Sequence, residues 1–253
     1  MNLKFASIID LNEAAWPGKT SSIVYLSGCP LQCYWCNVPF LVNPKEGEFD
    51  SKPTSFFVEH FNKLQANTDA VVFMGGEPFM QSNALLELCK GLKHMGFKTR
   101  VETSGYYANE LRDLLPYLDY VSMDVKVPLE EEGCAKTTAF KGDAKILLSK
   151  LLSSMAFLES AKGKGTFIEM RTTVIPGLND SIEAIQKICE DCRTADLYAL
   201  QQFSPGGKGS FVDWEYENAA FPSKEKMYEL AYAAKKTFQT VLIRYIDGTE
   251  EMV

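Results

Sequence analysis

Short runs of β-branched and aromatic residues alternate with amphipathic stretches from residue 22 onward. That alternation limits the fold more than any other feature of the chain. Strands are predicted over 22–26, 70–74, 99–102, 120–125, 166–175, 197–203 and 241–246. Between them the spacing predicts helices over 56–65, 83–95, 110–118, 145–162, 180–192 and 223–237. Phe57, Val58, Phe61 and Leu64 share one face of the first, and Leu85, Leu86, Leu88 and Leu92 line the second. Asp180 and Ser223 are the expected N-caps of the last two helices, because their short side chains can accept a bond from an orphan N–H. Strands that alternate with helices make a parallel sheet with right-handed crossovers. The near-continuous apolar run AVVFM over 70–74 suits burial on both faces. About six βα units result. The expected architecture is therefore α/β: a partial (β/α)6 TIM-type barrel with parallel strands. A doubly wound sheet is the alternative that periodicity leaves open.

The 253 residues suit one such domain, with its core over about 20–247. Hydrophobic residues make up 46% and charged residues 23%, as in globular proteins with a sizeable core. The net charge of −7 argues against a broad phosphate-binding surface, so no nucleic acid is expected as partner. No apolar run approaches the roughly 20 residues that span a bilayer. The opening MNLKFASIID lacks the features of a signal peptide. A cytoplasmic location with no membrane partner is expected. The seven cysteines are odd in number, which in such a chain favours metal binding or core packing over disulfides. His60 and His94 are the only histidines, which speaks against a histidine-rich metal site.

The first clear strand runs directly into SGCPLQCYWCN, where Cys29, Cys33 and Cys36 are spaced C-x3-C-x2-C. Three thiolates on one compact loop can ligate three irons of a cubane cluster and leave the fourth iron open to a small molecule. Structural zinc would want a fourth protein ligand, and the next candidate is as distant as His60. Three core cysteines are the plainest alternative. Gly75-Gly76-Glu77-Pro78 follows the second predicted strand, where glycines let backbone approach closely. Glu102-Thr103-Ser104-Gly105 ends the third, and Asp124 and Lys126 close the fourth. Arg171 opens RTTVIPG, and Gln201, Gln202 and Phe203 end the sixth strand. These residues gather at the C-terminal ends of predicted parallel strands, where α/β proteins place their sites. Ordinary strand-end packing and an exposed Asp124–Lys126 ion pair are the bland readings of the same residues.

Cys29, Cys33, Trp35 and Cys36 match the C-x3-C-x-(aromatic)-C signature, and with GGEP the chain resembles the radical S-adenosylmethionine (AdoMet, SAM) superfamily. The resemblance implies a [4Fe–4S] cluster on Cys29, Cys33 and Cys36, with AdoMet chelated at the open iron and cleaved to a 5′-deoxyadenosyl radical. It further implies Trp35 beside the adenine and Gly75, Gly76 and Glu77 at the AdoMet amino group. ETSG (Glu102, Ser104) and MDVK (Asp124, Lys126) resemble the D-T-N-G and D-(I/L/V)-K segments of enzymes that activate glycyl-radical proteins. By that resemblance Lys126 and Arg171 meet the AdoMet carboxylate, Asp124 with Glu102 orders the site or a monovalent cation, and Gln202 lines the adenosyl or substrate side. Glu102 stands where those relatives often have Asp.

The opening Ile9-Asp10 through Trp16-Pro17-Gly18-Lys19, together with GGEP-x-x-Q, RTTVIPG and LQQFSP, resembles the activating proteins of anaerobic ribonucleoside-triphosphate reductase. What this implies is a radical SAM oxidoreductase that makes a glycyl radical on a partner enzyme, with flavodoxin or ferredoxin as electron donor. A small-molecule enzyme similar to 7-carboxy-7-deazaguanine synthase is the alternative, although Asn37-Val38 departs from the Asp-Thr usual there. A non-catalytic iron–sulfur electron carrier and a zinc-binding interaction module are the rivals from other classes.

Cys189 and Cys192, with Cys89 and Cys134, are read as buried small hydrophobes in preference to an auxiliary cluster. His60 and His94 are read as helix-face residues, and 162–164 as a solvated helix end. Long loops are expected over 37–54 and 205–222 on the active face. Phe211, Trp214 and Tyr216 suggest a docking surface or lid in the second.

Overall fold

The computed structural model describes residues 1–205, 211 and 213–253. Among these residues ten strands form one sheet: β1 (Asn2–Asn12), β2 (Ser21–Leu26), β3 (Asp50–Pro53), β4 (Ala70–Gly75), β5 (Lys98–Thr103), β6 (Tyr120–Asp124), β7 (Phe167–Val174), β8 (Leu197–Gln202), β9 (Val241–Arg244) and β10 (Glu250–Met252). Their order is β10-β9-β8-β7-β6-β5-β4-β2-β1-β3. From β2 through β9 every pair of neighbours is parallel, as the strand–helix alternation predicts. β1 and β3 extend one side and β10 the other, all antiparallel. The sheet ends at β3 and β10 and does not close, so the expected partial barrel is what forms.

The described helices are α1 (Pro39–Val42), α2 (Thr54–Leu64), α3 (Ser82–His94), α4 (Ala108–Leu114), α5 (Glu131–Thr137), α6 (Ala144–Ala161), α7 (Ile182–Asp191) and α8 (Lys224–Ala234). Their apolar stripes pack against the outer face of the sheet. Val24, Val71, Phe73, Val101, Val121, Ile168, Met170 and Leu200 meet Phe57, Phe61, Leu85, Leu88, Leu147, Leu158, Ile185 and Leu230 in one buried cluster.

Several boundaries differ from expectation for local reasons. α7 is capped by Ser181, whose Oγ accepts from Ala184 N at 3.0 Å, and not by Asp180. Asp180 instead accepts from Gly177 N, which closes the preceding Pro-Gly turn. Ser223 caps α8 as expected, accepting from Lys226 N. α4 stops at Leu114, before the 310 turn Leu115–Tyr117, because Pro116 removes a backbone donor. The 37–54 segment is not one long loop. It holds α1 and then β3, which pairs with β1. In the 205–222 segment, residues 206–210 and 212 lie outside the described residues. The remainder includes a 310 turn, Trp214–Asn218, with Trp214 largely exposed.

The Trp16-Pro17-Gly18-Lys19 opening lies at the N-terminal end of the strands, opposite the expected site. There Trp16 packs edge-on against Tyr120 at 5.4 Å, on the floor of the barrel. Among the described residues no helix is long and apolar enough to cross a membrane.

Candidate functional site

The cysteine loop leaves β2 through Gly28, at φ +97°, a conformation that L side chains rarely adopt. Gly28 N donates to Leu41 O at 2.7 Å and Cys29 N to Val42 O at 3.1 Å. Gln32 N donates to Thr138 O, and Cys36 N closes a turn on Cys33 O. The loop is therefore stitched to α1 on one side and to the end of α5 on the other.

Gly75, at the end of β4, presses on Leu26 at the end of β2, and Gly76 on the loop itself. A Cβ on Gly76 would lie 2.2 Å from Gly28 O, so only glycine fits. The tight approach expected of this pair is thus made to the backbone that launches the cysteines. Glu77 N donates to Gly28 O at 2.8 Å. The Glu77 carboxylate is fully buried and turned away from the cavity. It accepts from Phe79 N, Thr103 Oγ1, Ser104 N and Ser104 Oγ, which ties the GGEP turn to the end of β5. Burial raises its pKa, and these donors only partly offset that.

A cavity of about 410 Å³ opens at the C-terminal ends of the strands. It is lined by Cys29, Cys33, Cys36, Trp35, Gly75, Gly76, Glu102, Ser104, Asp124, Lys126, Arg171 and Gln202. The structure thus brings together every residue expected at the site except Glu77. The Gln202 amide is oriented by the chain itself: its Nε2 donates to Pro222 O and its Oε1 accepts from Ile246 N, which leaves one donor and one lone pair. Trp35 packs with Ile175, Phe203 and Phe211, and meets the Tyr216 ring at 6.2 Å.

The wall built from β5, β6 and β7 is charged. Arg171 Nε donates to Asp124 Oδ1 at 2.8 Å, and its Nη1 pairs with Glu102 Oε2 at 2.9 Å. Lys126 Nζ donates to Asp124 Oδ2 at 3.1 Å, and Arg100 Nη2 to Glu102 Oε1 at 3.1 Å. Burial by itself would raise the Asp124 carboxyl, but Arg171 and Lys126 outweigh it and hold the group far below the usual carboxylate range. Below this layer Glu169 accepts from Tyr120 and Ser122 and takes a two-pronged grip from Arg244 at 2.8 and 2.7 Å. Burial pushes the Glu169 carboxyl up, yet Arg244 prevails and brings it down to about 2. Sequence reasoning missed Arg100, Glu169 and Arg244. Their signal was alternation: in FIEMRTTV, Glu169 and Arg171 sit two apart and so share the inner face of β7.

The thiols are held neutral in the metal-free chain. Burial, followed by Glu77, pushes Cys29 up to about 12. Burial pushes Cys33 up to about 11 against the opposing pull of Lys126, and Cys36 also rises. The other four cysteines lie buried away from this cavity's lining. His60 Nε2 pairs with Asp10, His94 Nδ1 bonds Lys90 O, and Lys162 Nζ donates to Ala195 O.

Residues 17–148 match a family described as a 4Fe-4S single cluster domain. Over its full length the chain is 32% identical to a Methanocaldococcus jannaschii protein named for glycyl-radical enzyme activation, and covers 100% of that protein. The chain belongs to the radical SAM superfamily. A 7-carboxy-7-deazaguanine synthase of Thermococcus kodakarensis is 28% identical over 58% of the chain and 62% of its own length. A crystallised radical SAM methyltransferase from Sphaerobacter thermophilus shares the fold, at TM-score 0.66 and 17% identity, over 91% of this chain and 67% of that one.

Radical SAM membership implies one [4Fe–4S] cluster and AdoMet, and the donor set fits both. Three thiols line one cavity, while no three His, Cys, Asp or Glu side chains among the described residues are arranged to hold a single ion. A cubane, by contrast, takes one thiolate at each of three separate irons. The same cavity's lining offers ammonium and guanidinium groups of the kind that bind a carboxylate.

Proposed function

We propose that this radical SAM enzyme generates a glycyl radical on a partner enzyme. The observation that carries the reading is the meeting of two unlike groups in the lining of one cavity: the thiols Cys29, Cys33 and Cys36, and the cations Lys126 and Arg171. In this reading the three thiolates hold the cluster, and Lys126 takes the AdoMet carboxylate. Lys126 suits that task because among the described residues its ammonium has one hydrogen-bond partner, Asp124, at 3.1 Å, which leaves donors for a ligand. Burial lowers its pKa, but Asp124 outweighs this and keeps the ammonium charged. Backbone at Gly75 and Gly76 meets the amino end, and Trp35 flanks the adenine. When bound, the cluster supplies the electron that cleaves AdoMet to methionine and a 5′-deoxyadenosyl radical. The chain's own residues hold AdoMet in place and leave the barrel mouth to the substrate.

The macromolecular substrate is supported by the full-length likeness to the M. jannaschii protein, since the synthase relative aligns over little more than half of the chain. That second relative favours a small-molecule reading, which the same experiment addresses. The protein is reconstituted without oxygen and given AdoMet with dithionite. The expected product is 5′-deoxyadenosine. Addition of a glycyl-radical enzyme encoded beside this chain should yield the electron paramagnetic resonance doublet of a glycyl radical. Absence of 5′-deoxyadenosine from a protein with an intact cluster would sink the enzyme reading. Its formation with no glycyl radical on the neighbouring enzyme, and turnover of the deazaguanine synthase substrate instead, would replace the activase reading with the synthase one.

A further inference from the structure

Two carboxylates at one cavity wall repel each other and, left alone, gather a hard cation. Asp124 and Glu102 stand in that relation at the ends of the neighbouring strands β6 and β5. Each of their four oxygens, however, already faces a cationic nitrogen of the chain. Asp124 Oδ1 and Glu102 Oε2 face Arg171, at 2.8 and 2.9 Å. Asp124 Oδ2 faces Lys126 and Glu102 Oε1 faces Arg100, both at 3.1 Å. Arg171 lies between the two carboxylates, entering from β7 through the Asp124–Arg171 register pair. A planar guanidinium can bridge two anions in a fixed geometry, which a hydrated ammonium does poorly.

We propose that Arg171 is the tethered counter-cation of this wall, and that the enzyme binds AdoMet without recruiting an alkali metal ion. Glu102 determines this. Its chain is one methylene longer than that of aspartate and spans from Arg100 to Arg171, so aspartate at this position would leave an oxygen for an ion. The inference rests on the cavity being the AdoMet site, but not on the identity of the substrate.

The test uses anaerobically reconstituted holoenzyme and measures the AdoMet Kd in potassium, sodium, lithium or choline chloride at equal ionic strength. The wild type should vary by less than about twofold, since only general screening remains. Glu102→Asp should bind AdoMet about fivefold more tightly in potassium or sodium than in choline, as a newly vacated carboxylate oxygen takes a hard cation. Arg171→Ala should lose AdoMet affinity and recover part of it with potassium or low methylguanidinium, but not with choline. Thermal midpoints of the metal-free proteins give a readout without AdoMet: potassium should stabilise the variants over choline and leave the wild type unchanged. A wild-type Kd or midpoint that responds to potassium overturns the proposal. So does a folded Glu102→Asp that ignores alkali ions. If Arg171→Ala does not fold, Glu102→Asp decides alone. If AdoMet binds in no salt, the proposed function fails, while the melting comparison still judges this inference.

Discussion

The two walls of the cavity are held by different physics. On the β2–β4 side the inner face is Ile23, Tyr25, Val72 and Met74, and precision comes from backbone. Gly76 touches Gly28, and the cysteine loop hangs on main-chain hydrogen bonds to α1, the end of α5, Glu77 and Asp213. On the β5–β7 side the inner face is Arg100, Glu102, Tyr120, Ser122, Asp124, Glu169 and Arg171, and precision comes from charges locked against one another. In the proposed function the first wall presents thiols to a metal, and the second presents fixed charge to a polar ligand. The first thereby anchors the cluster and the second holds the charged end of AdoMet beside it, so each wall has its own task.

Removing a thiol breaks the first wall outright. Cys33→Ala should abolish both the cluster absorbance after reconstitution and 5′-deoxyadenosine formation. The metal-free protein should melt close to wild type, since the side chain is small and only partly buried where it packs at the edge of the core.

The second wall breaks through stability. Glu169→Gln leaves Arg244 and Arg100 facing a neutral amide, and should cost about 3 kcal/mol in denaturant unfolding. The same carboxyl sets an acid limb. Its pKa falls from 4.5 to about 2 on folding, so its contribution is complete above about 4.5 and vanishes as the pH drops through about 2. For the metal-free wild type that loss is on the order of 3 kcal/mol. Glu169→Gln cannot titrate there, so its stability should fall less steeply over this range. An identical acid limb in both proteins would show that the charged wall is not what acid attacks.

The seam between the walls is the mildest target. Gly76→Ala forces a Cβ onto Gly28 O and should cost about 1–3 kcal/mol, with slower cluster uptake as the loop is displaced. Unchanged uptake would mean that the glycine pair serves the sheet and not the loop.

The parallel core was readable because AVVFM and its counterparts carry burial in their composition, and α8 announced itself through Ser223. The added strands were not. β3 is exposed along its length and offers no apolar signal. β10 could have been found from Asp247-Gly248, a hairpin turn signature, with Gly248 at φ +83°. Most cavity residues were visible as motifs at strand ends. Glu77 was placed by likeness at a ligand, whereas its neighbours Thr103 and Ser104 supply hydroxyls that draw it inward. Single charges inside apolar strands, such as Arg100 and Glu169, look like surface residues until the register sets them opposite one another.

The stitching of the cysteine loop bears on how such a protein is maintained. Clusters are damaged by oxygen and must be rebuilt on the same polypeptide. A free loop would scatter its thiols and charge each rebuilding with their reordering. Here Gly28 and Cys29 are tethered to α1, Gln32 to α5, and β3 pins the outgoing chain to β1. On the proposed function, the emptied protein keeps its three thiols assembled and partly shielded, so that repair amounts to refilling a mould.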